Sequence, residues 1–347
     1  MGVCVSNSNP EERRSKLIER DLQAQKMKKV VKCLLLGAGE CGKSTILKQM
    51  RLLHDSFSEN EVLLYKPIIL NNTLHNMALL LMHMREQRIG FEIAQNQQLS
   101  NLVLETIEDG TTNLLTPELS VAVRTLWSDN NVRRSFNQGE SFHVQQSASY
   151  FFDEIDRISN PNYKPSIQDI LYMRSPTLGV QEVRFRQSNM DFRVFDVGGQ
   201  KSQRRKWIHV FDNVQSLIYI SAVSEFNQQM KEDATMNRLL DSLDLFEEMV
   251  NNKYFRRAAV ILFLNKRDLF QMKMDHYLSI SIAFPEYNGP CRYEESMQFI
   301  KTKFRSCVER KSDEFYTHET CATDTDQVAK VLRSIIDIMI NRQLCYA

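Results

Sequence analysis

The sequence is short of glycine and proline, with eleven and eight among 347 residues, which leaves no room for a long low-complexity tract. It carries almost no net charge. Its 44 basic and 43 acidic side chains leave +1 at neutral pH, so no global field draws the chain to nucleic acid, and any electrostatic partner must meet a local patch. No apolar run approaches the ~20 residues that span a bilayer, and the first residues lack the apolar stretch of a secretory signal. The seven cysteines, Cys4, Cys33, Cys41, Cys291, Cys307, Cys321 and Cys345, are odd in number, scattered and without a CxxC pair. That pattern argues against a disulfide framework or zinc site and for a cytosolic compartment.

What is present is an ordinary globular composition, 42% hydrophobic and 25% charged, in a chain longer than one hydrophobic core usually serves. Two domains are expected. Residues 11–30 are rich in charge and helix formers, with Arg13, Arg14, Lys16, Arg20, Lys26, Lys28 and Lys29 outnumbering Glu11, Glu12, Glu19 and Asp21. The run Val30 to Leu36 then reads as a strand ended by glycines, and TILKQM resumes helical composition. From about 57 to 170 the pattern is helical. Thr116 and Pro117 read as N-cap and first helical position, Leu119, Val123, Leu126 and Trp127 share a face, and Phe151, Ile155 and Ile158 repeat the spacing.

Beyond that block, VRFR alternates as a half-buried strand, DFRVFD ends at Asp196, and SLIYISAV and AVILFLN suit a sheet covered on both faces. Val328, Val331, Leu332, Ile335 and Met339 place a last helix against that sheet. The fold class expected is α/β, with a mostly parallel sheet interrupted by an all-helical insertion.

The segment Gly37, Ala38, Gly39, Glu40, Cys41, Gly42, Lys43, Ser44, followed by Thr45, satisfies GxxxxGK[ST] between a strand and a helix, the context a phosphate loop requires. Gly37 and Gly42 let backbone amides turn toward phosphate, Lys43 supplies a point charge, and Ser44 can ligate Mg²⁺. NKRD, with Asn265, Lys266 and Asp268, follows an apolar strand. An aspartate there can accept two hydrogen bonds from guanine N1 and N2, a donor pair that adenine lacks. Cys321, Ala322 and Thr323 of TCAT stand before the last helix, where their amides can complete a base pocket.

DVGGQ ends a strand, where ligands of open α/β sheets bind. Asp196 is placed to hold Mg²⁺ through water, Gly199 to offer an amide to a γ-phosphate, and Gln200 to orient the attacking water. Taken singly, each motif has a plainer reading as a glycine turn, a solvated loop or a helix cap. Their joint order favours a nucleotide site.

The order GAGECGKST, DILYMRSPTLG, DVGGQKSQRRKWIHVF, FLNKRDLF and TCATDT resembles the alpha subunits of heterotrimeric G proteins along nearly the whole chain. That resemblance implies a P-loop GTPase (Ras-like) domain over 31–56 and 175–347, a helical insertion with linkers over 57–174, and a lipid-anchored N-terminal helix over 1–30. It implies that Arg174 is a built-in arginine finger beside Gln200, that Thr177 joins Ser44 and Asp196 around Mg²⁺, and that Glu40 pairs with Arg174 when its loop relaxes. The start MGVCVS fits myristoylation at Gly2, with Cys4 open to palmitoylation. Two such anchors, or one plus the basic segment, hold a protein to the cytoplasmic face of the plasma membrane.

The implied cycle binds GDP and GTP with Mg²⁺. A βγ dimer docks through residues 11–30 and the Lys206, Trp207 region, and a G-protein-coupled receptor acts on the last helix. The implied partners also include an effector, RGS-type GTPase activators and the inner leaflet, with no nucleic acid. The sequence departs from the family's usual residues at Cys41, Gln146, Tyr172, Pro176 and Leu178 and in its tail NRQLCYA. Pro176 fixes its own φ and stiffens the loop around Thr177. Two other readings stay open: a P-loop ATPase or kinase with an incidental NKRD, and a nucleotide-gated binding module that does not turn over.

Overall fold

The computed structural model describes residues 29–108, 110, 115–137, 144–230, 232–309 and 314–345. The basic segment 11–28, Gly2 and Cys4 lie outside the described residues, as does the side chain of Cys345. A six-stranded sheet runs in the order β2-β3-β1-β4-β5-β6, with β1 Lys29–Leu36, β2 Val180–Gln187, β3 Met190–Val197, β4 Ser216–Ala222, β5 Ala259–Asn265 and β6 Phe315–Glu319. Every neighbouring pair is parallel except the antiparallel β2–β3 hairpin at one edge. β4 and β5 are buried at every position, as expected of apolar runs covered on both faces.

Alternation along the strands feeds two cores. Val31, Cys33 and Leu35 of β1 pack with Phe192 and Val194 of β3 under the helices Lys43–His54 and Thr325–Cys345. Leu34 and Leu36, with Phe195 and Val197, face the opposite side, where the helices Arg238–Val250 and Tyr293–Ser306 bury Leu245, Phe246, Ile300 and Phe304. Val328, Leu332, Ile335 and Met339 of the last helix are buried against the sheet, as their spacing requires.

Between the helix Lys43–His54 and β2 the described chain is helical. It begins with the 28-residue helix Glu59–Glu86, started by a capping box in which Ser58 and Glu61 bond each other's backbone N–H. The helices Asn96–Glu108, Pro117–Trp127, Asn130–Asn137, Ala148–Asp153 and Ile155–Ile158 follow and pack on it or on one another, and Ile167–Tyr172 leads back. Thr116 caps the second of these, accepting from Leu119 N, with Pro117 in its first turn. This unit has its own apolar core, including Leu74, Leu81, Leu126, Phe151, Phe152 and Ile158.

The unit is tied together by Asp169, which is fully buried. Asp169 accepts from Arg157 at 2.8 and 2.9 Å, from Tyr150 and Tyr163 hydroxyls at 2.7 and 2.8 Å, and from Ser166 N at 2.8 Å. Burial alone would raise its carboxyl, but the Arg157 guanidinium and the other donors outweigh it and hold it well below the usual carboxylate range. Tyr150 also stacks on Tyr172, ring centroids 4.5 Å apart, so Tyr172 occupies its position as an aromatic partner of the helical unit.

A nucleotide cleft between two units

A cleft of about 960 Å³ opens at the carboxyl ends of β1, β3 and β5 and takes its walls from both units. The phosphate loop lies beneath it. Gly37 and Gly42 adopt φ of 144° and 108°, and a Cβ at either would strike the Ile220 carbonyl or the Asn265 amide at 2.2 and 2.3 Å. Lys43 is buried and its Nζ donates to the carbonyls of Gly37 and Ala38 at 3.0 and 2.7 Å. Glu40 holds φ 64°, unusual for a residue with a side chain. Its carboxylate pairs with Arg174, and with Arg238 at 3.6 Å. The Arg174–Glu40 pair expected of the loop is therefore present, and Asn72 Nδ2 holds the Arg174 carbonyl at 2.6 Å.

Three oxygens converge beside the loop. Ser44 Oγ donates to Asp196 Oδ2 at 2.5 Å and lies 2.6 Å from Thr177 Oγ1, which reaches the same oxygen at 3.2 Å. Asp196 Oδ1 is buried with no hydrogen-bond partner, and burial pushes the carboxyl up despite the nearby Lys43 ammonium. An all-oxygen set with an orphaned carboxylate oxygen fits a hard cation such as Mg²⁺, its remaining ligands coming from phosphate and water.

Gly199 presses directly on the loop. A Cβ there would meet Lys43 Nζ, Ala38 O and Gly37 O at 2.3, 2.5 and 2.7 Å. Gln200 is exposed and directly precedes the short helix Lys201–Arg204 without a side-chain capping bond, its stem beside Gly39. Arg204 makes a bidentate pair with Asp241, at 2.6 and 3.2 Å. Trp207 is buried and donates to Gly198 O at 2.8 Å, so the outward groups of the Lys206, Trp207 region are Arg205, Lys206, Ile208 and His209.

At the far end Asn265 ties three loops. Its Nδ2 donates to Cys41 O at 2.8 Å, and its Oδ1 accepts from Thr320 Oγ1 and Ala322 N at 3.1 and 2.9 Å. Cys321 N donates to Gln327 Oε1 at 3.0 Å, so the Cys321 and Ala322 amides are engaged by protein groups. Lys266 (φ 59°) donates to Glu225 Oε1 at 2.6 Å. Lys266, Asp268, Cys321, Ala322 and Thr323 all line the cleft. Glu225, unremarked in the sequence, is buried between Lys266 and Arg238; burial alone would raise its carboxyl, but those two cations bring it down to about 2. Arg238 also donates to Gly39 O at 3.0 Å. A run of paired charges therefore joins Arg174, through Glu40, Arg238 and Glu225, to Lys266.

The family model for the G-protein alpha subunit matches residues 12–339. The chain belongs to that family. It is 46% identical to the guanine nucleotide-binding protein alpha-17 subunit of Caenorhabditis elegans, over 99% of this chain and 98% of that one. It is also 43% identical to the alpha-3 subunit of the same organism, over 99% of both chains. As a member it is a guanine nucleotide-binding signalling protein and a GTPase, built from a Ras-like domain and a helical domain. Among the described residues no helix is long and apolar enough to cross a membrane.

Proposed function

We propose that this G-protein alpha subunit is a GTP-hydrolysing switch in which Gln200 orients the attacking water and Arg174 neutralises transition-state charge. The observation that carries this reading is the convergence of the phosphate loop, Arg174, Gly199, Gln200 and Asp268 on one cleft. The amides of residues 37–45 cradle the phosphates, and Lys43 turns its ammonium from the loop carbonyls to the β and γ groups. Ser44, Thr177 and Asp196 would hold Mg²⁺, which would neutralise phosphate charge there. Gly199 N–H meets the γ-phosphate. Arg174 leaves Glu40 to reach that group, so the ion pair is the resting arrangement of the finger. Asp268 reads guanine N1 and N2, Lys266 flanks the base, and Asn265 with Cys321, Ala322 and Thr323 shapes the base pocket.

In the same reading 31–56 and 175–347 form the GTPase domain, and 57–174 the helical insertion with its linkers. Residues 1–30 anchor the protein at the cytoplasmic face of the plasma membrane through Gly2 and Cys4. A βγ dimer docks on the GDP form through residues 11–30 and the Lys206, Trp207 region, where Lys206 and Ile208 are exposed. A G-protein-coupled receptor acts on the last helix. GTP reorders Thr177 and Gly199, releasing βγ and exposing a surface for an effector and for RGS-type activators.

The test is single-turnover hydrolysis of GTP with Mg²⁺, ATP in parallel, and Gln200→Leu and Arg174→Cys as variants. GTP-selective cleavage lost in both supports the switch. GTP bound but uncleaved by the wild type would instead indicate a gated binding module, and equal ATP cleavage would sink the guanine assignment.

A further inference from the structure

The helix Lys43–His54 carries Ser44 in its first turn, and two cations further along it leave the GTPase core for the helical unit. Arg51 pairs with Glu61 at 2.7 Å, where the chain enters that unit. Lys48 reaches the segment by which the chain returns, donating to Ile170 O at 2.8 Å, its ammonium over the Tyr65 ring at 5.7 Å.

Ile170 belongs to the last turn of the helix Ile167–Tyr172, whose final carbonyls have no partner within the helix. Asp169 O is satisfied by Met173 N at 2.8 Å, and Ile170 O by Lys48. A cation at a helix C-terminus is favoured by the helix dipole as well as by the hydrogen bond. Burial pushes the Lys48 ammonium down to about 8, with Asp196 opposing, so it remains mainly charged at neutral pH.

Four residues beyond Ile170 stands Arg174. Lys48 and Ser44 are four apart on one helix and share a face. Lys48 therefore ties the helix that begins at the phosphate loop to the segment that leads into Arg174. Asn72 holds the Arg174 carbonyl from the helical side, and Lys48 holds the same segment from the GTPase side.

We propose that Lys48 is a positioning residue for hydrolysis, tethering the segment that carries Arg174 to the phosphate-loop helix. The inference rests on Arg174 acting as the finger, and it gives Lys48, which lines the same cleft, a role exerted through the segment that carries Arg174.

The experiment is a double-mutant cycle on single-turnover GTP hydrolysis with Lys48→Met, Arg174→Cys and the pair, plus Lys48→Arg. Lys48→Met is expected to slow hydrolysis roughly tenfold, the scale of one charge-assisted hydrogen bond. In the Arg174→Cys background the same change costs no more than about twofold, because the group it positions is gone. Lys48→Arg, which keeps a cation of similar reach, restores the rate to within about threefold.

A tenfold loss that persists beside Arg174→Cys overturns the proposal, since a general loosening of the fold would slow both backgrounds alike. Unchanged hydrolysis in Lys48→Met overturns it equally. If Lys48→Met does not fold, Lys48→Gln carries the same cycle with a shorter donor. Unchanged hydrolysis in Arg174→Cys alone would refute the finger itself and this inference with it, a failure that is recognisable because Lys48 is then intact.

Discussion

A single methyl group at Gly199 is expected to separate the two nucleotide states of this protein. Its backbone conformation is open to any residue, so the constraint is steric. The added Cβ would lie 2.3 Å from Lys43 Nζ, 2.5 Å from Ala38 O and 2.7 Å from Gly37 O, where ordinary contact begins at 3.4 Å. Lys43 could swing aside, but the two carbonyls belong to the loop backbone and cannot. The Gly198–Gly199 turn must instead retreat from the loop by roughly 1 Å, at the 1–3 kcal/mol typical of overpacking. In the proposed cycle that retreat carries the Gly199 amide away from the γ-phosphate and leaves the β-phosphate contacts of the loop alone. Gly199→Ala should therefore weaken a non-hydrolysable GTP analogue between about fivefold and a hundredfold. GDP affinity should change by less than about twofold, and equilibrium binding of both nucleotides with Mg²⁺ is the assay. Equal losses for both would mean that the loop itself has collapsed, and unchanged analogue binding would mean that Gly199 does not approach the γ-phosphate; either result refutes the reasoning.

Asp169→Asn removes the acceptor shared by Arg157, Tyr150 and Tyr163 and should destabilise the helical unit by roughly 2–3 kcal/mol, less than a fully enclosed pair because Arg157 reaches solvent. Urea melts showing a loss below about 0.5 kcal/mol would remove Asp169 from its place as the tie. Glu225→Gln leaves Arg238 and Lys266 facing a neutral amide and should cost about 3 kcal/mol near pH 7. Because the native carboxyl is held down to about 2, its contribution is complete above the unfolded glutamate range, and it fades as pH falls from there toward 2. The gap between wild type and Glu225→Gln should accordingly narrow on acidification, and a gap constant from pH 6 to 4 would contradict the ion-pair origin. Inosine triphosphate lacks the 2-amino group, so it should compete less well than GTP with the wild type but equally with Asp268→Ala; a preserved preference in that variant would show that another group reads the base.

Much of the fold was legible because its signals are local. The β-rich runs before GAGECGKS, DVGGQ and NKRD are strands, and Thr116 and Pro117 open a helix where capping chemistry demands one. The strand Phe315–Glu319 was not legible: FYTHE is half-buried at every position, lies at a sheet edge and carries no alternation. The Arg174–Glu40 pair followed from family resemblance, since no spacing rule joins residues so far apart in sequence. Glu225, Arg238 and Lys48 escaped notice for the same reason. Each reads as an ordinary surface charge until the fold sets it against a partner 13, 41 or 122 positions away. Asn265 shows the converse, a motif residue whose amide binds three loops together.

The cleft takes one wall from each unit, and both chain connections between the units are clamped to the same helix, by Arg51 on entry and Lys48 on return. An occupant of this cleft is held from two sides, so its hold weakens when the walls part. The residence time of GDP would then report how often the two units separate. Breaking the Arg51 and Lys48 clamps, which lie beyond the phosphate-loop end of the helix, would shorten that time while leaving the loop itself in place.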